Sequence, residues 1–215
     1  MNIYKINQQV IEKEVASFES EIDFELVPVL AKQSSYTEHV FYLLFFALII
    51  LFSATLELAL NYLMFDSWYD RTFYFIGAAL LSFILSLILV RFDSVKRIFI
   101  SNSEKSRQVL QKAKMIFFLK RLHELKSQHA LLIYISVLEK KIVILPDPRI
   151  KLINTSDLSN RCLQILQKAF QRSEYEQGLV DVIRYLKTEL KTVFPVKSAE
   201  TDQNEYSNKL IWWQD

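Results

Sequence analysis

Two long apolar runs set the pattern of the chain. Residues 40–56 and 73–90 contain no Asp, Glu, Lys or Arg. Each is close to the ~20 apolar residues an α-helix needs to cross a bilayer. The segment between them holds Asp66, Trp68, Tyr69, Asp70 and Arg71, the charged and amphipathic mixture found where a hairpin turns over at a membrane surface. The spacing predicts a transmembrane helical hairpin over residues 38–91.

The flanking segments have shorter periods. Ile11, Val15, Phe18 and Ile22 recur at three- and four-residue steps, one apolar face of a helix over residues 10–22. Residues 24–31 read as a strand, and Pro28, which has no N–H to donate, places that strand at a sheet edge or a bulge. Residues 92–100 mix basic and large apolar side chains, a pattern suited to a membrane surface, with Lys96 and Arg97 toward anionic headgroups. Val109, Ala113, Ile116 and Phe117 predict a helix within residues 103–128. Residues 130–137 form a nearly continuous apolar run, a strand buried on both faces, and residues 142–145 return as its antiparallel partner. Thr155 or Ser156 is placed to cap a helix that continues through Leu163, Leu166 and Phe170. Gly178 precedes a last helix carrying Leu179, Ile183, Leu186, Leu190 and Val193 on one face, stopped by Pro195. A polar tail follows, and residues 210–213 are an apolar end expected to dock on the parent domain.

With the hairpin removed, these elements make one small α/β (α+β) domain, a mixed sheet with packed helices. The predicted division is 1–37 for its first helix and strand, 38–91 for the hairpin, 92–196 for the rest of the domain, and 197–215 for the tail. The interval between the first two strands fits a parallel crossover.

Charge and cysteine usage narrow the function. Over 215 residues the net charge is +2, which excludes a global basic field, and the basic helix carries no base-reading motif; nucleic acid is not an expected partner. The single cysteine, Cys162, excludes an intrachain disulfide and a multi-cysteine metal site. The first forty residues are charged and hold no apolar run, so no cleavable signal peptide is expected. Arg91, Lys96, Arg97, Lys105, Arg107, Lys112 and Lys114 follow the second run, against a lone Arg71 in the turn. Positive charge stays inside, so both termini are expected in the cytoplasm.

The order of motifs resembles a known family. Glu25-Leu-Val-Pro-Val29 with Ser34, Ser35 and Tyr36, then the hairpin, then Ala130-Leu-Leu-Ile-Tyr-Ile-Ser136, Leu138-Glu139-Lys140 and Ile144-Leu-Pro-Asp147, is similar to the bacterial membrane branch of the TPM-domain family. Val193-Phe194-Pro195 and Asp202-Gln-Asn-Glu205 also fit that branch. The resemblance implies a compact α/β domain in a two-pass protein of the bacterial inner membrane. It implies LemA-type membrane proteins as partners, and, from some soluble relatives, a divalent-ion-dependent phosphatase activity. This chain departs from the family pattern where His129 or Ala130, and Pro148 and Arg149, stand in place of glycines that would allow close backbone approach.

Candidate chemistry is sparse. Asp147 follows the end of a strand, where α/β sheets tend to present functional groups, and is the candidate catalytic carboxylate. Asp202 and Glu205 could join it as oxygen ligands of the kind calcium or magnesium takes. No glycine loop for phosphate, no Ser-His-Asp or Cys-His pattern and no zinc spacing accompanies them. The expected function is therefore a non-catalytic one, an interaction or assembly module anchored in lipid, acting on a membrane-protein partner or a second copy; the alternative is a metal-dependent phosphatase. Within the hairpin, Glu57 is the ionisable residue to explain. Counting from the turn puts Glu57 level with Ala78 and Ser53 level with Ser82. Glu57 and Asn61 on one helix and Ala78, Ser82 and Ser86 on the other are the expected contact faces, and a larger membrane complex using Glu57 is a further alternative.

Overall fold

The computed structural model describes residues 6–62, 68–125, 129–150, 154–172, 174–195 and 206–213. The chain divides into two compact units, Met1–Ser34 with Ser103–Asp215, and Ser35–Asn102.

The first unit is a mixed α/β fold around a four-stranded sheet in the order β3-β2-β1-β4. Its strands are β1 (Glu25–Ala31), β2 (Ala130–Ser136), β3 (Lys141–Pro146) and β4 (Ile211–Trp213). β1 pairs parallel with β2 and with β4, and β2 pairs antiparallel with β3. All seven residues of β2 are buried because helices cover both faces. On one face Leu26, Leu30, Leu131, Ile133 and Ile135 pack under α1 (Gln8–Glu19), α6 (Thr155–Gln171) and α7 (Tyr175–Leu190). On the other, Val27, Val29, Leu132 and Tyr134 pack against Val109, Ala113, Ile116 and Phe117 of α5 (Asn102–Leu119). Period-2 alternation along each strand serves the two cores at once.

Several local expectations are corrected. β1 is an interior strand rather than an edge. Pro28 is tolerated there because Glu25 N–H donates to His129 O at 2.8 Å, so alternation turns the nitrogens of residues 25, 27 and 29 toward β2 and that of Pro28 away. On that far side β4 pairs only with residues 29–31, beyond Pro28. The apolar end docks on the parent domain as expected, with Ile211–Trp213 as a strand of the sheet and Leu210 buried. The cap of α6 is Asn154, whose side chain accepts from Asp157 N–H, instead of Thr155 or Ser156. Gly178 lies inside α7, where an added Cβ would meet Ala169 Cβ at 2.7 Å, so it permits a close α6–α7 approach. α7 ends at Leu190, ahead of Pro195, and leaves Val193 exposed.

The second unit contains α2 (Glu38–Tyr62), α3 (Trp68–Leu89) and the short α4 (Asp93–Ile98). α2 and the 72–89 portion of α3 have mean hydropathies of 2.5 and 2.2, and both are long and apolar enough to cross a membrane. Only 11% of each is buried, which separates them from core helices of a soluble domain. At the base of the unit Val40, Leu44 and Ile100 are buried together with Leu89, Val90 and Val95 packed against them.

Candidate functional site

Asp147 occupies a different end of the sheet from the one its position after a strand suggests. β3 is antiparallel to β2, so its C-terminal end lies beside the start of β2, and Asp147 N–H donates to Ala130 O at 2.9 Å. The carboxyl edge of the parallel pair, where α/β sheets gather their ligands, is the opposite one. The Asp147 side chain is fully buried and closed by Arg149, whose Nε donates to Oδ1 at 2.7 Å and Nη2 to Oδ2 at 2.6 Å. Arg149 backbone N–H adds a third donor at 2.9 Å to Oδ1, and its Nη2 also reaches His123 O. The Arg149 guanidinium holds the Asp147 carboxyl below the usual carboxylate range, against the opposing effect of burial. This is the arrangement of a turn fastened by its own arginine. To ligate an ion, Asp147 would have to give up that fork. Asp202 and Glu205 lie outside the described residues, and among those described no group of three His, Cys, Asp or Glu side chains is placed to hold a metal.

The carboxyl edge of β1 and β2 holds a buried polar chain that hydrophobic pattern alone did not reveal. Ser34, just beyond β1, meets Tyr134 and Ser136 of β2 and Glu139 of the β2–β3 turn, all at most 4% exposed. Ser34 Oγ donates to Ser136 Oγ at 2.7 Å, which leaves the Tyr134 hydroxyl as the donor in its 2.7 Å bond to Ser34. Ser136 donates in turn to Glu139 Oε2. Ser34 N–H lies 3.2 Å from both Glu139 oxygens. The hydroxyl protons therefore run one way, from tyrosine to carboxylate, and every oxygen is turned into the protein. Two backbone bonds run alongside, Val137 N to Ala31 O and Leu138 N to Lys32 O, both 3.0 Å. Together they latch the exit of β1 to the hairpin. The signal for it was the presence of Tyr134 and Ser136 in a run buried on both faces, since buried hydroxyls need partners.

The Asn61 amide donates to Glu57 Oε1 at 3.3 Å within one helix face. Ser82 and Ser86 are fully buried and return their hydroxyls to Ala78 O and Phe83 O of their own helix. Phe83 packs against Phe41 and Phe45 at centroid distances of 5.7 and 6.1 Å. The register with Glu57 level with Ala78 would instead set Phe83 beside Phe52, about nine residues or ~13 Å along α2 from the observed place. Lys96 and Arg97 sit in the last turn of α4, half-buried, while Phe92, Ile98 and Phe99 are exposed beside them.

No family model matches the chain. No curated protein matches it either. Among solved structures, the fold is similar to the NMR structure of BA42 protein from the psychrophilic bacterium Bizionia argentinensis, with a TM-score of 0.54 and 17% identity, over 97% of this chain and 96% of that one. At that identity the likeness shows the fold.

Proposed function

We propose that this chain is a membrane-anchored α/β domain of the TPM type that serves as a protein-interaction or assembly module on the cytoplasmic face of a bacterial inner membrane. The observation that carries the reading is the insertion of the hairpin between two parts of one sheet domain: β1 ends at Ala31, α5 begins at Asn102, and both pack in the same unit. A hairpin entered and left through one fold tethers it at two points and restricts its freedom to swing away. The closure of Asp147 by Arg149 supports a structural use of that carboxylate over a catalytic one. The family resemblance points to a LemA-type membrane protein as partner, and a second copy is the other candidate.

Extraction in mild detergent after cross-linking tests this reading. It is expected to recover a stoichiometric membrane partner or a self-associated form, and a monomer alone would overturn it. Orientation is tested with a membrane-impermeant maleimide on intact cells. Ser67→Cys is expected to label from outside and Lys191→Cys only after permeabilisation; the reverse pattern would invert the topology.

A further inference from the structure

In the first unit the described residues leave five large apolar side chains exposed, and four of them, Leu110, Met115, Phe118 and Leu119, belong to α5. Helix geometry gathers these four. Val109, Ala113, Ile116 and Phe117 are turned into the core, so Leu110, Lys114 and Phe118 form one outward row at four-residue steps, with Arg107, Met115 and Leu119 in the row beside it. All six are exposed. Residues 102–121 hold six Lys or Arg against the single Glu104, in a chain whose net charge is only +2. Glu104 answers Arg107 at 2.8 Å, and Glu124 stands 3.7 Å from Arg121, both at the surface where such pairs are weak. Lys114 lies between these pairs, in the middle of the apolar rows.

We propose that this face of α5 docks on the anionic phospholipid surface of the membrane that the hairpin crosses, with Lys114 among headgroup phosphates and Met115, Phe118 and Leu119 at the acyl boundary. The inference rests on the membrane-anchored reading above and adds a second lipid contact, made by the folded domain itself. Charge complementarity commits the face to this occupant. Cations interleaved with Leu, Met and Phe match a surface that is anionic at the headgroups and hydrocarbon just below, and a lysine stem is long enough to lie on apolar surface with its ammonium among the phosphates. The basic residues that flank the rows count as well, because the field of an anionic leaflet acts over a Debye length of about 10 Å rather than only at contacts. A second copy docked through the same face would instead bring like charges together. Residues 90–101 tie the start of α5 to the end of α3, so contact with the same bilayer is intramolecular.

The test uses the full chain in nanodiscs, with a nitroxide on Gln111→Cys, an exposed position between the two rows. Its collisions with oxygen and with a polar nickel chelate are compared in zwitterionic discs and in discs enriched in phosphatidylglycerol. Oxygen contact is expected to rise and nickel contact to fall only in the anionic discs. A nitroxide on Gln164→Cys of α6, which covers the opposite face of the sheet, is expected to stay aqueous in both. Lys114→Gln/Arg121→Gln is expected to lower the ratio of docked to free label on the order of 25-fold, about fivefold for each charge removed. Phe118→Ser/Leu119→Ser is expected to lower it as well, with the far-UV spectrum unchanged. An aqueous label at 111 on chain incorporated in anionic discs would overturn the docking and leave the membrane anchor standing, whereas chain that does not enter the discs would overturn both. Immersion equal in the two lipids, or unmoved by the charge variant, would overturn the docking, and spin–spin broadening at 111 would assign the face to a second copy instead.

Discussion

Arg149 grips Asp147 from two residues away, a side-chain fork of 2.7 and 2.6 Å around a fully buried carboxylate. The pair closes the turn after β3 against the first residue of β2 through the 2.9 Å bond from Asp147 N–H to Ala130 O. A buried charge of this kind is tolerable only because its lone pairs are answered.

Removing that carboxylate should loosen the turn. Asp147→Ala is expected to lower stability by about 2 kcal/mol, the loss of several charge-assisted bonds offset by relief of burial. The sign of the pH effect follows from its depressed folded-state pKa. The stabilisation is present above the unfolded value of about 4 and is lost as pH falls through the lower folded value. Glu21 acts in the same direction, held down to about 2 by hydrogen bonds from Lys187 and then Lys191, but it is partly exposed and its share is weakened by salt. Acid titration of thermal unfolding should show a loss below about pH 4 that is shallower in Asp147→Asn; an unchanged slope would count against the role given to the pair.

Glu139 gathers the hydroxyl chain at the other edge of the sheet. Glu139→Ala leaves the Ser34 N–H and the Ser136 hydroxyl without their acceptor and is expected to cost about 2–3 kcal/mol, with Glu139→Gln recovering part of it. Hydrogen exchange should locate the loss at the ends of β1 and β2. Uniform loss of protection across the sheet would instead mean that the latch is not a local device.

The α6–α7 crossing rests on a missing side chain. Gly178→Ala places a Cβ 2.7 Å from that of Ala169, and the overpacking exceeds the helix-propensity gain, for a net loss of about 1 kcal/mol. Adding Ala169→Gly should restore stability. Failure of the double variant to recover would show that the two positions are not coupled.

Cys162 is fully buried, and burial pushes its thiol up to about 12. Maleimide at about pH 8 is expected to leave it unmodified in the folded chain and to modify it fully after denaturation, since the thiolate is the reactive form. Rapid native labelling would contradict its place in the core. The same inertness makes the chain a clean background for single-cysteine reporters.

Features that depend on local period and composition are legible along the chain. The two apolar helices follow from runs that only lipid or a core would accept, the buried strand β2 from an unbroken apolar run, and the inward faces of α1 and α5 from three- and four-residue spacing. Long-range pairing settles which strand is central, where the terminal residues 211–213 pair, and which way Glu139 turns. These depend on partners scores of residues away. Pro28 could be read as an edge marker because its missing N–H is a local fact, but the side of the strand on which that N–H is missing, and whether a neighbour stands there, is set by pairing. Glu139 likewise looks solvated beside two lysines until Ser34, more than a hundred residues earlier, offers its N–H and turns the carboxylate inward. Periodicity records which face of an element is buried; it does not record against what.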